Sequence, residues 1–170
     1  MVSDKDRLYV GLYIRGGQAK MPGKEDTYHW ALIIGPKVEE GSSRGIRLDA
    51  KDTAFGAEQN QWSFHENDCS LRATRQLLVR IVIAKIKDRE HLLQILRGVP
   101  VVQRDLSGIA LLALQNDGKA VGTSVLDWHT VRDAAMKYCQ EKIDAHRFDG
   151  KVKFDMTRPA TYDFLKKKKK

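Results

Sequence analysis

The two residues best equipped for chemistry are His29, near the start of the run YHWALIIGPK, and Asp49, inside IRLDAK. An acid beside an imidazole fixes its tautomer and raises its basicity, which is the orienting half of any base-assisted nucleophile system. The same two side chains also suit a histidine satisfied by one hydrogen bond and a solvated strand acid. A nucleophile is harder to find. Cys139 falls inside a helical pattern and Cys69 in a polar run before Ser70, so both read as structural. Ser107, at the start of LSGIALLAL, is a weak nucleophile candidate and more simply a cap or small packing residue. His65-Glu66-Asn67-Asp68 groups possible cation ligands without loop glycines or a partner cluster, and it reads as a polar turn. Neither cysteine has metal spacing, and Gly16-Gly17 is not followed by a helix start. No metal and no cofactor is expected.

The elements that must position His29 and Asp49 are strands. Residues 28–34 form a bulky apolar run stopped by Gly35-Pro36, a buried strand that puts His29, Ala31 and Ile33 on one face and Tyr28, Trp30, Leu32 and Ile34 on the other. Residues 46–51 alternate Ile46, Leu48 and Ala50 against Arg47, Asp49 and Lys51, and a polar hairpin connection makes them the antiparallel partner. Ahead of these, RLYVGLYIR is a first strand, with Tyr9 and Tyr13 on one face. After them come a short strand at QWSFH, a turn over residues 66–70, and the long β-branched strand 77–86, whose Arg80 points to an edge or a partner carboxylate.

The second half changes period. Asp88 caps a helix closed by Gly98-Val99-Pro100, Val101-Val102-Gln103 is extended, and residues 106–114 form a short buried helix ended by Asn116-Asp117-Gly118. Ser124-Val125-Leu126-Asp127 has the form of a capping box for a main helix whose buried face is Trp128, Val131, Ala135, Tyr138 and Lys142. That helix runs to His146-Arg147, and the C-terminal stretch lies across the body through Phe154, Tyr162 and Phe164. Strands first and helices after predict an α+β fold, a mainly antiparallel sheet with three helices packed on it, and disfavour a doubly wound nucleotide-binding fold.

Length and composition set the remaining bounds. At 170 residues one domain is expected over 1–165, with 166–170 a lysine tail. Removing those five lysines leaves +3 of the formal +8, so specific nucleic-acid binding is not indicated; the tail supports only weak, non-specific attraction to anions. No apolar run approaches a membrane span, no secretory pattern opens the chain, and two unspaced cysteines suit a reduced, cytoplasmic setting.

The segments YHWALIIGPK, IRLDAKDT, LLVRIVIAKI, VPVVQ, DWHTVRDAAMKY and HRFDG resemble a group of small, uncharacterised fungal proteins, and the pattern is similar to circularly permuted papain-like folds of the lecithin:retinol acyltransferase and NlpC type. The resemblance implies a histidine opening a strand, which His29 matches, a polar residue on the next strand, which Asp49 matches, and a cysteine beginning a later helix. That helix start reads Arg104-Asp105-Leu106-Ser107-Gly108, without a cysteine. The expectation is therefore a catalytically inactive relative, a binding or scaffold module for an unknown protein or small molecule, with a remnant His29–Asp49 site. The alternatives are a papain-like hydrolase or acyltransferase with another nucleophile, and an anion binder dependent on the lysine tail.

Overall fold

The computed structural model describes residues 5–15, 18–19, 22–52, 62–74, 76–100, 106–155 and 157–166, without the side chains of Lys51, Asp52 and Trp62. The expected extended segment 101–103, the loop 53–60 and most of the lysine tail lie outside these residues.

The described residues form an α+β fold: an antiparallel sheet built first, then helices packed on it. The sheet strands are β1 (Arg7–Ile14), β2 (Tyr28–Gly35), β3 (Arg44–Asp52), β4 (Trp62–Ser70) and β5 (Leu77–Ile86), followed later by β6 (Val121–Ser124) and β7 (Ala160–Asp163). The helices are α1 (Arg89–Arg97), α2 (Leu106–Asp117) and α3 (Trp128–Asp144). The sheet order is β4-β3-β2-β1-β5-β6, and β7 also pairs with β5. β1, β2 and β5 are buried along nearly their whole length, which explains their continuous apolar runs.

One face of the sheet carries Leu8, Val10, Leu12, Trp30, Leu32, Ile34, Leu48 and Ala50 and packs against Leu92 and Leu96 of α1, Leu111 and Leu114 of α2, and Val131 and Ala135 of α3. The second face carries a smaller cluster of Tyr9, Tyr13, Ala31, Ile33, Leu71, Leu77 and Val82. His29, Arg47 and Asp49 share the strand phase of this second face, because side chains alternate along each strand.

Four local expectations change. Residues 66–70 are not a turn but the second half of β4, which pairs with all of β3 from Arg44↔Ser70 to Asp52↔Trp62. The ladder supplies the order that their polar sequence does not advertise, and Arg97 of α1 grips Glu66 through two contacts of 2.7 and 2.8 Å. The N-cap of α3 is Asp127, whose carboxylate accepts from the Thr130 amide at 3.0 Å; Ser124 instead ends β6, paired with Ala84. The buried line of α3 is Val131, Ala135 and Cys139, with Trp128 and Tyr138 only half-buried at its flanks; Trp128 meets Trp30 edge-on at 5.1 Å. The helix ends at Asp144, and His146 takes a left-handed φ of 61° just beyond it. β6 and β7 are strands without a sequence signal. β7 runs parallel to β5 over Val79–Val82, while β6 pairs with β5 at Ala84 and Ile86, so the two share one edge.

Candidate functional site

Trp30 anchors the entry to β2. Its indole N–H donates to the Glu25 carbonyl at 2.7 Å, and the ring packs in the helix-side core. The next residue back, His29, therefore turns to the second face, where it stands opposite Tyr13 of β1 with ring centroids 6.3 Å apart. On β3, Asp49 is turned to the same face by the alternation that buries Leu48 and Ala50 among the helices. The Asp49 side chain is 1% exposed and the His29 side chain 30%. His29 Nε2 lies 2.8 Å from Asp49 Oδ2. A carboxylate only accepts, so it is Nε2 that carries a proton and donates it. Arg47 Nε stands 3.6 Å from the same Oδ2, and its guanidinium lies 5.3 Å from the centre of the Tyr13 ring. Burial pushes the Tyr13 phenol up to about 12, against the pull of Arg47, so it is a neutral donor at physiological pH.

Gly11 makes this packing possible. A Cβ there would meet Ile33 Cδ1 at 3.0 Å, Tyr13 Cε2 at 3.2 Å and Leu77 Cδ1 at 3.3 Å. The Tyr13 ring thus lies back along β1 over a position that has no side chain.

Ser107 is not part of this site. It is 1% exposed in the first turn of α2, and α2 packs Leu106, Ala110 and Leu111 into the helix-side core. The sheet separates it from His29. Cys139 is buried on the helix side as well, where burial raises its thiol and Tyr28 pulls the other way. Cys69 stands on the second face opposite Gly45, four residues along β3 from Asp49, or roughly 13 Å at strand spacing. Burial holds its thiol above the ordinary value as well.

In sequence His65 reads only as part of a polar turn and is not joined to Ser63 or Asp49. His65 is the direct partner of Asp49 in the β3–β4 ladder, and its Nε2 lies 2.8 Å from Ser63 Oγ. The alternation of QWSFH puts Ser63 and His65 on one face, a signal obscured by the more conspicuous Trp62 and Phe64. Asp49 is therefore flanked by histidines from both neighbouring strands. Among the described residues no group of three His, Cys, Asp or Glu is placed to hold a metal ion, and no helix is long and apolar enough to cross a membrane.

Arg80 resolves its sequence alternative toward a carboxylate. It is paired with Glu39 of the β2–β3 connection at 2.7 Å, with side chains 6% and 15% exposed.

A family model described as a family of unknown function (DUF6914) matches residues 5–170. No curated protein and no solved structure matches the chain.

Proposed function

The chain belongs to the DUF6914 family, of unknown function, and from its own residues we propose that it is a catalytically inactive binding or scaffold module whose ligand contacts the His29–Asp49 pair. The observation that carries this reading is the 2.8 Å His29–Asp49 contact on the sheet face opposite Ser107. The orienting acid and the imidazole are together, while both thiols are held toward their protonated forms and away from the ring. A permuted papain-like ancestry remains part of the proposal, supported by a histidine near the start of a strand bonded to an acid on the next strand. So does a cytoplasmic setting, which the two free cysteines favour. Lys166 to Lys170 would add weak, salt-sensitive attraction to anions.

A second reading has one observation of its own. The 2.8 Å contact between Ser63 and His65 is a nucleophile–base distance, and Asp49 lies across the ladder from His65. This would restore a hydrolase or acyltransferase. A fluorophosphonate probe and a p-nitrophenyl ester separate the two. The binding module gives background hydrolysis and no labelling, and His29→Ala alters stability without altering that background. Stoichiometric labelling at Ser63 that is lost in His65→Ala would establish the enzyme.

A further inference from the structure

We infer that the exposed edge of the Arg47 guanidinium, with His29 beside it, is the docking point for a carboxylate borne by the ligand. The inference rests on the binding-module reading and supplies the chemical class of its ligand.

The template for this contact lies within the molecule. Tyr9 and Tyr13 sit four residues apart on the same face of β1, and each is covered by an arginine from another strand, Arg80 at 4.5 Å and Arg47 at 5.3 Å from the ring centre. On Arg80 a carboxylate completes the arrangement. Glu39 Oε2 accepts from Nη2 at 2.8 Å, and its Oε1 accepts from the Tyr9 hydroxyl at 3.1 Å and stands 2.7 Å from Nη1 as an ion pair. Thr161 takes the remaining Nε–H at 2.8 Å. Planar guanidinium and planar carboxylate match in two parallel bonds, and the ring beneath holds the fork in place.

Arg47 has the ring and lacks the fork partner. Its Nε is buried without a hydrogen-bond acceptor, because Asp49 Oδ2 is 3.6 Å away and already accepts from His29. No carboxylate among the described residues bridges its two terminal nitrogens as Glu39 bridges those of Arg80. Asp49 cannot move out to do so while it holds the imidazole from a nearly fully buried position. The Arg47 side chain remains 23% exposed, and His29 opens to solvent beside it.

The groups facing His29 are Tyr13 from β1, Arg47 and Asp49 from β3, and His65 from β4 on the far side of Asp49. Of these Tyr13 stays neutral.

Sodium acetate is the minimal probe, with sodium chloride at matched ionic strength as the control and the side-chain nitrogen signals of Arg47 and His29 in NMR spectra as the readout. The expected result is a saturable shift of both signals that chloride does not reproduce. Arg47→Gln should weaken acetate at least tenfold. Arg47→Lys should also weaken it, because charge without the planar fork is insufficient, and Arg72→Gln on the exposed surface should leave it within twofold. A glycine tetrapeptide with a free C-terminus, compared with its amide, distinguishes a peptide-borne carboxylate from a small free acid. Shifts that chloride reproduces, or that survive in folded Arg47→Gln, would overturn the inference. Labelling at Ser63 together with saturable acetate binding would overturn the binding-module reading and leave the carboxylate site standing.

Discussion

The two tyrosine–arginine clusters on the second face of the sheet begin from the same geometry and end in different states. Tyr9 with Arg80 is closed over by Glu39, which arrives from the β2–β3 connection, and by Thr161 of β7. Among the described residues, Tyr13 with Arg47 has Asp49 as its nearest carboxylate, a neighbour two residues along the same strand that already accepts from His29. The first cluster joins β1, β5, β7 and a loop around a carboxylate that faces both terminal nitrogens of the guanidinium, and so reads as structure. The second has its nearest carboxylate 3.6 Å from the guanidinium, which is 23% exposed, and an imidazole open to solvent beside it. The difference lies in where the acid comes from. A carboxylate brought from a distant segment can meet the fork squarely, whereas one on the same strand face meets it from the side.

The largest expected effect comes from opening the closed cluster. Glu39→Gln leaves Arg80 buried without its counter-charge, and removing one partner of a buried pair typically costs about 3–5 kcal/mol. Urea unfolding should show this as a lowered midpoint with an unchanged slope. An Arg47→Met variant measured alongside should lose about 1 kcal/mol or less, since a partly exposed, 3.6 Å pair is worth little. Equal losses in the two variants would remove the distinction between a structural cluster and an open one.

This distinction was only half legible in the sequence. Alternation in β1, β2 and β3 places Tyr9 with Tyr13 and His29 on the face opposite Trp30, and it brings Asp49 to the neighbouring strand. The bounds of β5 and the caps of α1 at Asp88 and Gly98 also follow from local chemistry. What alternation cannot say is which face the helices cover, because β1, β2 and β5 are apolar on both. For that reason Ser107 looked like a possible partner of His29 and is instead across the sheet. Glu39 sits in a polar connection 41 residues from Arg80, and no local pattern joins them. β6 and β7, at four residues each, are strands only because β5 offers them an edge.

A middle-sized effect should follow from filling the space under the open cluster. Gly11→Ala puts a methyl within 3.2 Å of the Tyr13 ring and 3.0 Å of Ile33, contacts that require both to shift. Overpacking of this kind costs about 1–3 kcal/mol. The displaced ring carries Arg47 with it, so acetate binding at Arg47 should weaken in the same variant. The Arg80 cluster should be undisturbed, with the Tyr9 hydroxyl proton retaining its protection from exchange. A loss of that protection would mean that the two clusters are one cooperative unit.

The smallest effect tests whether Arg47 lies over Tyr13 in solution. Burial pushes the Tyr13 phenol up to about 12, and the guanidinium opposes that shift. An unfolded tyrosine ionises near pH ~10. The neutral buried phenol therefore contributes its full stability below about pH 10, and the contribution is lost as pH rises from there toward 12, because the unfolded chain releases the proton first. Tyr9 is raised further, chiefly by burial, so the Tyr13 step is the one Arg47 keeps within reach of a titration. Ultraviolet difference absorbance of the phenolate should show it in the native chain, identified by its disappearance in Tyr13→Phe. In Arg47→Met the pull is gone and the step should move to higher pH, with little change in stability at pH 7. A step that stays where it was would place the guanidinium away from the ring. Arg47 would then be a mobile surface charge with no held fork to offer a carboxylate, and the likeness between the two clusters would end at the sequence.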